Sequence, residues 1–109
     1  MTLFDEREKA FEAKYRLDQE TAFKVTVRRD KLLGLWAAEK MGLTADEATA
    51  YAKSLIETEM SAGAHDVGHK VLEDLRARDV AIEEDDLRTR ISTIHEIAQQ
   101  QVVAETAGR

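Results

Sequence analysis

The 109-residue sequence contains no cysteine and no proline. Without cysteine, disulfide bonds, thiolate catalysis and thiolate metal sites are excluded. Without proline, the commonest helix breaker is missing, so long helices can run uninterrupted. No apolar run approaches the roughly 20 residues that a membrane-spanning helix needs, and the first residues mix acids and bases where a signal peptide would be apolar. We therefore expect a helical, cytoplasmic protein that does not insert directly into a membrane.

Charge is what the sequence has in abundance, at 35% of residues beside 43% hydrophobic residues. Acids outnumber bases 22 to 16, which argues against nucleic acid as a partner. Residues 1–40 carry nine bases and eight acids, whereas residues 41–109 carry seven bases and fourteen acids. A near-neutral front on an acidic body suits specific docking to a protein. The net charge and modest apolar content lead us to expect a monomer when the protein is free.

The sharpest boundary signal lies at Gly42. Helix-forming residues run almost without a break up to residue 41, and glycine is the usual residue in a left-handed C-terminal cap. Thr44 and Glu47 then match a capping box, in which each side chain accepts a hydrogen bond from the backbone N–H of the other. One helix is predicted to end near residue 41 and the next to begin at residue 45.

Apolar periodicity and capping residues predict the remaining helices. A third helix is expected to begin with Asp66 as its cap and to end near Arg78, and a fourth to begin at the acidic residues 83–86. The second helix has an apolar face made of Ala48, Tyr51, Ala52, Leu55, Ile56 and Met60. The fourth has a stripe made of Leu87, Ile91, Ile94, Ala98 and Val102, with Ile97 beside it. Short connections between four helices predict an all-α, small four-helix bundle with a long first helix.

The front of the first helix differs from the rest of it. Phe4, Phe11 and Tyr15 fall on one narrow helical stripe at i, i+7 and i+11. Such a segment is expected to be mobile when free and to become helical when its stripe meets a groove. The alternatives are a frayed terminus or a peripheral bundle helix. We divide the chain into a docking segment at residues 1–18, a helical bundle at 19–104 and a frayed C-terminus at 105–109.

The densest apolar band lies at residues 31–39 and contains Trp36, the single tryptophan. We expect this band to be buried in the core or against a partner. Gly34 lies within the band, where glycine costs about 0.8–1 kcal/mol relative to alanine in a helix. A neighbouring element is therefore expected to pack closely against the backbone at Gly34.

No set of residues suggests catalysis, so we predict that the protein is not an enzyme and uses no cofactor. His65, Asp66 and His69 have a spacing that could hold a divalent metal. However, the third helix is predicted to begin only at Asp66 and no second ligand cluster accompanies the three residues. Exposed histidines are the better expectation, and we predict no metal site.

A basic cluster at residues 28–31 could contact a phosphate. It consists of Arg28, Arg29 and Lys31, with Asp30 between the bases. Because of the intervening acid, a solvated helix face is the better expectation.

Two separated motifs carry a family resemblance. Residues 4–14 (FDEREKAFEAK) and 31–38 (KLLGLWAA) resemble the two signatures of the ATPase inhibitor zeta subunit family of alpha-proteobacterial F-type ATP synthases. Residues 41–43 (MGL), residues 48–53 (ATAYAK) and, more weakly, residues 86–88 (DLR) are also similar. The resemblance covers essentially the whole chain.

The resemblance implies a regulatory protein that blocks ATP hydrolysis. Its N-terminal segment is expected to insert at an interface between alpha and beta subunits of the catalytic head, near the central stalk. This would place the protein in the cytoplasm, peripheral to the inner membrane when bound, and it implies weak nucleotide binding without locating a site. The alternative is a helical adaptor or ligand-sensing protein with a different partner. The contact residues carried over are Phe4, Arg7, Lys9, Phe11, Lys14 and Tyr15.

Overall fold

Four helices follow one another along the chain. A computed structural model describes the backbone of residues 3–61 and 66–107 and the side chains of residues 19–61 and 66–106. The helices are α1 (Leu3–Lys40), α2 (Ala45–Met60), α3 (Val67–Ala77) and α4 (Glu84–Ala107). None of the described residues is in a strand. The predicted all-α fold of four helices with a long first helix is confirmed.

The end of α1 is fixed by local hydrogen bonds around Gly42. Gly42 is in the left-handed conformation, with φ of 73°, which glycine adopts without steric penalty. Its N–H donates to the carbonyl of Glu39, and the N–H of Leu43 donates to the carbonyl of Ala38, at 3.1 and 3.0 Å. This pair of bonds is a Schellman motif, so the predicted stop near residue 41 is confirmed.

The beginning of α2 is the predicted capping box. The backbone N–H of Glu47 donates to the hydroxyl of Thr44 at 3.2 Å, and the N–H of Thr44 donates to the Glu47 carboxylate at 2.9 Å. The hydrogen bond from the Thr44 N–H to the carboxylate lowers the pKa of Glu47, because it favours the ionised form. Since both bonds satisfy backbone donors that have no partner inside the helix, they stabilise the start of α2.

The ends of α3 combine one expected and one unexpected cap. Asp66 is the predicted N-cap and accepts from the backbone N–H of His69 at 3.2 Å. At the other end, Asp79 takes the left-handed conformation with φ of 59°. The N–H of Asp79 donates to Arg76 and that of Val80 to Leu75, at 3.0 and 2.9 Å, which repeats the geometry at Gly42 with a residue other than glycine.

The long helix α1 packs antiparallel against both α2 and α4. Arg29 contacts Glu59 of α2, while Arg28 contacts Gln101 and Glu105 of α4. All four helices contribute to the main apolar core, which consists of Leu33, Ala37, Leu55, Val67, Val71, Leu72, Leu75, Leu87 and Ile94. A second cluster joins α1 to the C-terminal half of α4 through Val25, Ala98 and Val102.

The band at residues 31–39 lies in this core, as predicted. Trp36 is half-buried against the main cluster. The guanidinium carbon of Arg90 on α4 lies 5.5 Å from the centroid of the Trp36 ring, within the range of a cation–π interaction. Trp36 therefore contributes to the contact between α1 and α4.

Helices α1 and α2 approach each other closely at Gly34, as its position predicts. A Cβ atom placed on Gly34 would lie 2.5 Å from the Cα of Ala52 and 2.9 Å from its Cβ. Carbon atoms prefer to be about 3.5–4.0 Å apart, so no side chain fits at this position without separating α1 from α2.

Gly34→Ala is expected to lower the free energy of unfolding by about 1–3 kcal/mol, as is typical of overpacking. The obstacle is a backbone atom of Ala52 and cannot rotate away. Gly68→Ala is the matched control, because its added Cβ meets only the side-chain ends of Asp66 and Ile91, both at 3.2 Å. Chemical denaturation of both variants checks the prediction, and equal stability of the two would contradict it.

Two apolar residues that periodicity places on or beside a stripe are exposed. Met60, the last residue of α2, is 46% exposed, and Ile97 on α4 is 42% exposed. Met60 thus lies on the predicted apolar face of α2 without being buried, because this face extends beyond the part of α2 that α1 and α3 cover. Leu55 and Ala52 on the same helix are buried as predicted.

Candidate functional site

The six residues predicted to contact a partner lie on α1 ahead of the described side chains. The backbone of α1 is helical from Leu3 onward. The six are Phe4, Arg7, Lys9, Phe11, Lys14 and Tyr15. Their side chains lie outside the described part of the chain, so their proposed contacts stay predictions. The same holds for the boundaries at residues 18 and 105, neither of which coincides with a helix end.

Burial along α1 shows where this helix meets the other helices. Among the described side chains, Val25 is the first that is buried, and it packs with Ala98 and Val102 of α4. Within residues 19–24 only Thr21 is partly buried, and Phe23 is 57% exposed. Among the described residues of α1, the part that the bundle buries therefore begins at Val25.

Arg28 links α1 to the C-terminal end of α4. Its guanidinium donates to the Gln101 side-chain oxygen at 2.8 Å and forms an ion pair with Glu105 at 2.7 Å. Because both partners lie in the last two turns of α4, these bonds attach α1 to the C-terminal end of α4. Arg28 is therefore occupied within the bundle rather than presented to a phosphate.

The expectation of a solvated face at residues 28–31 is wrong for Asp30. Asp30 has an exposed fraction of 0%. Its Oδ1 accepts from Nε of Arg29 at 3.0 Å, and the same guanidinium donates to Oε1 of Glu59 on α2 at 2.7 Å. The second oxygen of Asp30, Oδ2, is buried and has no hydrogen-bond partner. The Arg29 guanidinium therefore donates to two carboxyl groups, that of Asp30 on α1 and that of Glu59 on α2.

Burial raises the pKa of Asp30 to about 7 from its ordinary value of 3.8. The neighbouring Glu59 side chain adds to this effect, and the positive charge of Arg29 opposes it. One carboxyl group can donate a hydrogen bond to another only when it carries a proton. A proton on Asp30 would therefore give this carboxyl group a donor.

A signal for this buried acid exists in the sequence. Asp30, Gly34 and Ala37 are spaced i, i+4 and i+7, which places them on one face of α1. Gly34 marks that face as the one in close contact with α2. The alternation of charges at residues 28–31 indicates exposure instead. Glu59, which lies beside Asp30 in the fold, is too distant in sequence for this proximity to be inferred.

A cavity of about 520 Å3 adjoins the cluster of Arg29 and Glu59. Its apolar lining comes from three helices, through Leu33, Leu72, Leu87 and Ile91. Its charged lining comes from all four helices, through Arg29, Glu59, Asp66, His69, Glu84 and Arg88. Three acids, two arginines and one histidine share this lining, so no strong excess of one sign defines a ligand.

The residues considered for a metal site are not brought together as a ligand set in the described part of the chain. His65 lies outside that part. Asp66 caps α3, and the exposed side chain of His69 lies 2.7 Å from Glu73 one turn along the same helix. No group of three or more potential metal ligands occurs among the described residues.

None of the described helices is long and apolar enough to cross a membrane.

Among curated proteins, none matches the chain. A protein whose solution NMR structure is known is similar, with 38% identity and a TM-score of 0.63; the aligned part covers 76% of this chain and 95% of that one. The sequence model for ATPase inhibitor subunit zeta matches residues 1–101. Since this match spans most of the sequence and includes both motifs of the predicted resemblance, the chain belongs to the ATPase inhibitor subunit zeta family.

Proposed function

We propose that the protein inhibits ATP hydrolysis by an F-type ATP synthase by inserting residues 1–18 at an alpha/beta subunit interface of the catalytic head, near the central stalk. An inhibitor of this kind performs no chemistry. It needs a binding energy that is larger for one rotary state of the enzyme than for the others. Such a difference stops rotation in the favoured state.

The family match over residues 1–101 is the observation that carries the proposal. The pattern of side-chain burial along α1 fits the same function. Its backbone is helical from Leu3, while the first buried described side chain is Val25. Residues ahead of Val25 therefore form a helical extension whose described part, residues 19–24, is largely exposed. A helix of this kind is suited to entering a groove on another protein.

The aromatic stripe can supply part of the binding energy. Burial of Phe4, Phe11 and Tyr15 gives on the order of 10 kcal/mol gross, at about 25 cal/mol per Å2. Ordering the segment would consume much of this gain if it began as a random coil. A helix that continues from the bundle reduces that loss, because it is preorganised. Basic residues Arg7, Lys9 and Lys14 can then complement acidic groups of the target.

The triple variant Phe4→Ala, Phe11→Ala, Tyr15→Ala is expected to lose at least about 100-fold in inhibitory potency. Central aromatic side chains of an interface contribute about 2 kcal/mol or more each when truncated. The measurement is ATP hydrolysis by the cognate detached head at increasing concentrations of wild-type and variant protein.

Phe23→Ala is the matched control, because it removes an exposed aromatic side chain from α1 outside residues 1–18. It should retain wild-type potency within a few fold. Unchanged potency of the triple variant would exclude the aromatic stripe as the docking surface. An equal loss of potency in both variants would show that the docking surface extends along α1 beyond residues 1–18, as far as Phe23.

The proposal places the protein in the cytoplasm, peripheral to the inner membrane when it is bound to the synthase. Weak nucleotide binding remains a prediction from the family resemblance. Amide chemical shifts recorded during titration with ATP or ADP test it, and the charged residues around the cavity, such as Arg29 and Arg88, are the first to monitor.

A further inference from the structure

A buried acid between two helices is the feature that the inhibitory function does not use. Asp30 lies on the face of α1 that packs on α2, one turn before the close contact of Gly34 with Ala52. Its Oδ1 is held by Arg29 and its Oδ2 has no partner. An ionised carboxylate with an unpartnered oxygen is unfavourable in a dry site, whereas a protonated one can donate to a neighbouring acceptor.

Glu59 is the acceptor that the fold brings to this position. Its carboxylate takes a hydrogen bond from Arg29 at 2.7 Å and is 25% exposed. Asp30 accepts from the same guanidinium at 3.0 Å, so Arg29 brings the two carboxyl groups together. With one proton, the three groups have no net charge and every contact is favourable. Without it, two carboxylates share one guanidinium and repel each other.

We propose that Asp30, Arg29 and Glu59 form a proton-operated latch, in which one shared proton holds α1 against the C-terminal end of α2 and its loss loosens that contact. The latch lies within α1, the helix that carries the predicted docking segment, one turn before Gly34. The inference rests on the packing of α1 and α2 and does not depend on the proposed function.

The adjoining cavity gives the latch a route for proton exchange. Arg29 and Glu59 line this space of about 520 Å3, whereas Asp30 is buried behind them. The other charged groups that face the cavity are Asp66 and His69 from α3 and Glu84 and Arg88 from α4.

Most of those other groups are occupied by neighbours on their own helices. Arg88 is paired with Glu84 at 2.7 Å, and Asp66 accepts from the backbone N–H of His69. Arg29 is therefore the guanidinium that balances Asp30 and Glu59. His69 also faces the cavity and lies 2.7 Å from Glu73 on its own helix, so its contribution is tested separately.

The stability change has a defined sign. Because burial raises the pKa of Asp30 to about 7 from 3.8, the folded state holds this proton more tightly than the unfolded state. The stabilisation is fully present below about pH 4 and is lost as the pH rises through 7. Over this window the folding equilibrium constant should fall by up to about 10-fold per pH unit.

Carboxyl 13C NMR of the full chain tests the latch directly. The expected midpoint for Asp30 is about pH 7. Glu59→Gln should lower it by about one pH unit or more, since it removes the neighbouring negative charge. Glu57→Gln is the matched control, because it removes an exposed acid from the same helix and should leave the midpoint unchanged. A midpoint below 5 in the wild type would overturn the proposal.

Amide hydrogen exchange tests whether the proton controls the helix contact. After correction for intrinsic base catalysis, exchange near Asp30 and Glu59 should increase at least several-fold from pH 6 to pH 8 in the wild type. The increase should persist in His69→Gln and be absent in Asp30→Asn. If Asp30→Asn does not fold, the pH dependence of amide exchange in the wild type and in Glu59→Gln still tests the proposal. An Asp30 midpoint near 7 with unchanged exchange would mean a passive buried pair and would also overturn the latch.

Discussion

Leu55→Ala is expected to lower the free energy of unfolding by about 2–5 kcal/mol, the range for large-to-small changes in a packed core. Leu55 has an exposed fraction of 0% and belongs to the main cluster to which all four helices contribute. The cavity left by its removal cannot be filled by a single helix moving inward. Chemical denaturation of the full chain gives the required measurement.

Met60→Ala provides the comparison on the same helix. Both residues belong to the apolar face that periodicity predicts for α2, but Met60 is 46% exposed. Its truncation is expected to change stability by less than about 1 kcal/mol. Similar losses for Leu55 and Met60 would contradict the burial described for the end of α2.

Deletion of residues 1–18 is expected to abolish inhibition of ATP hydrolysis while leaving the bundle folded. The described core includes α1 residues only from Val25 onward, so the remaining chain keeps its described apolar contacts. Loss of the whole docking surface should reduce potency by more than about 1,000-fold, beyond the effect of truncating single side chains.

Circular dichroism and thermal unfolding provide the control for this deletion. The truncated protein should remain helical and unfold within a few degrees of the full chain. Equal inhibition by the two proteins would show that the bundle, rather than residues 1–18, carries the inhibitory surface. An unfolded truncated protein would show instead that the front of α1 contributes to the bundle.

Local chemistry made most of the fold predictable. Gly42, Thr44 and Glu47 act through hydrogen bonds within a few residues, so their pattern alone predicts where α1 ends and α2 begins. Gly34 is informative for a similar reason, because an unfavourable residue in mid-helix indicates close packing. The unexpected cap at Asp79 shows the limit, since aspartate adopts the left-handed conformation less readily than glycine.

The proximity of the buried Asp30 to Glu59 could not be predicted in the same way. The two residues are brought together only by the packing of α1 on α2, and sequence charge near Asp30 suggests a solvated face. The exposure of Met60 has a related cause, because periodicity identifies an apolar face but not how far a neighbouring helix covers it. The docking segment depends on a partner, so its contacts remain predictions from family resemblance and pattern.

Inhibition is measured most simply as the rate of ATP hydrolysis by the cognate detached catalytic head while full-length protein is added. We expect a saturable decline in the rate, with residual activity approaching zero at excess protein and the truncated chain without effect. A hydrolysis rate that stays constant at every concentration of folded, full-length protein would contradict it.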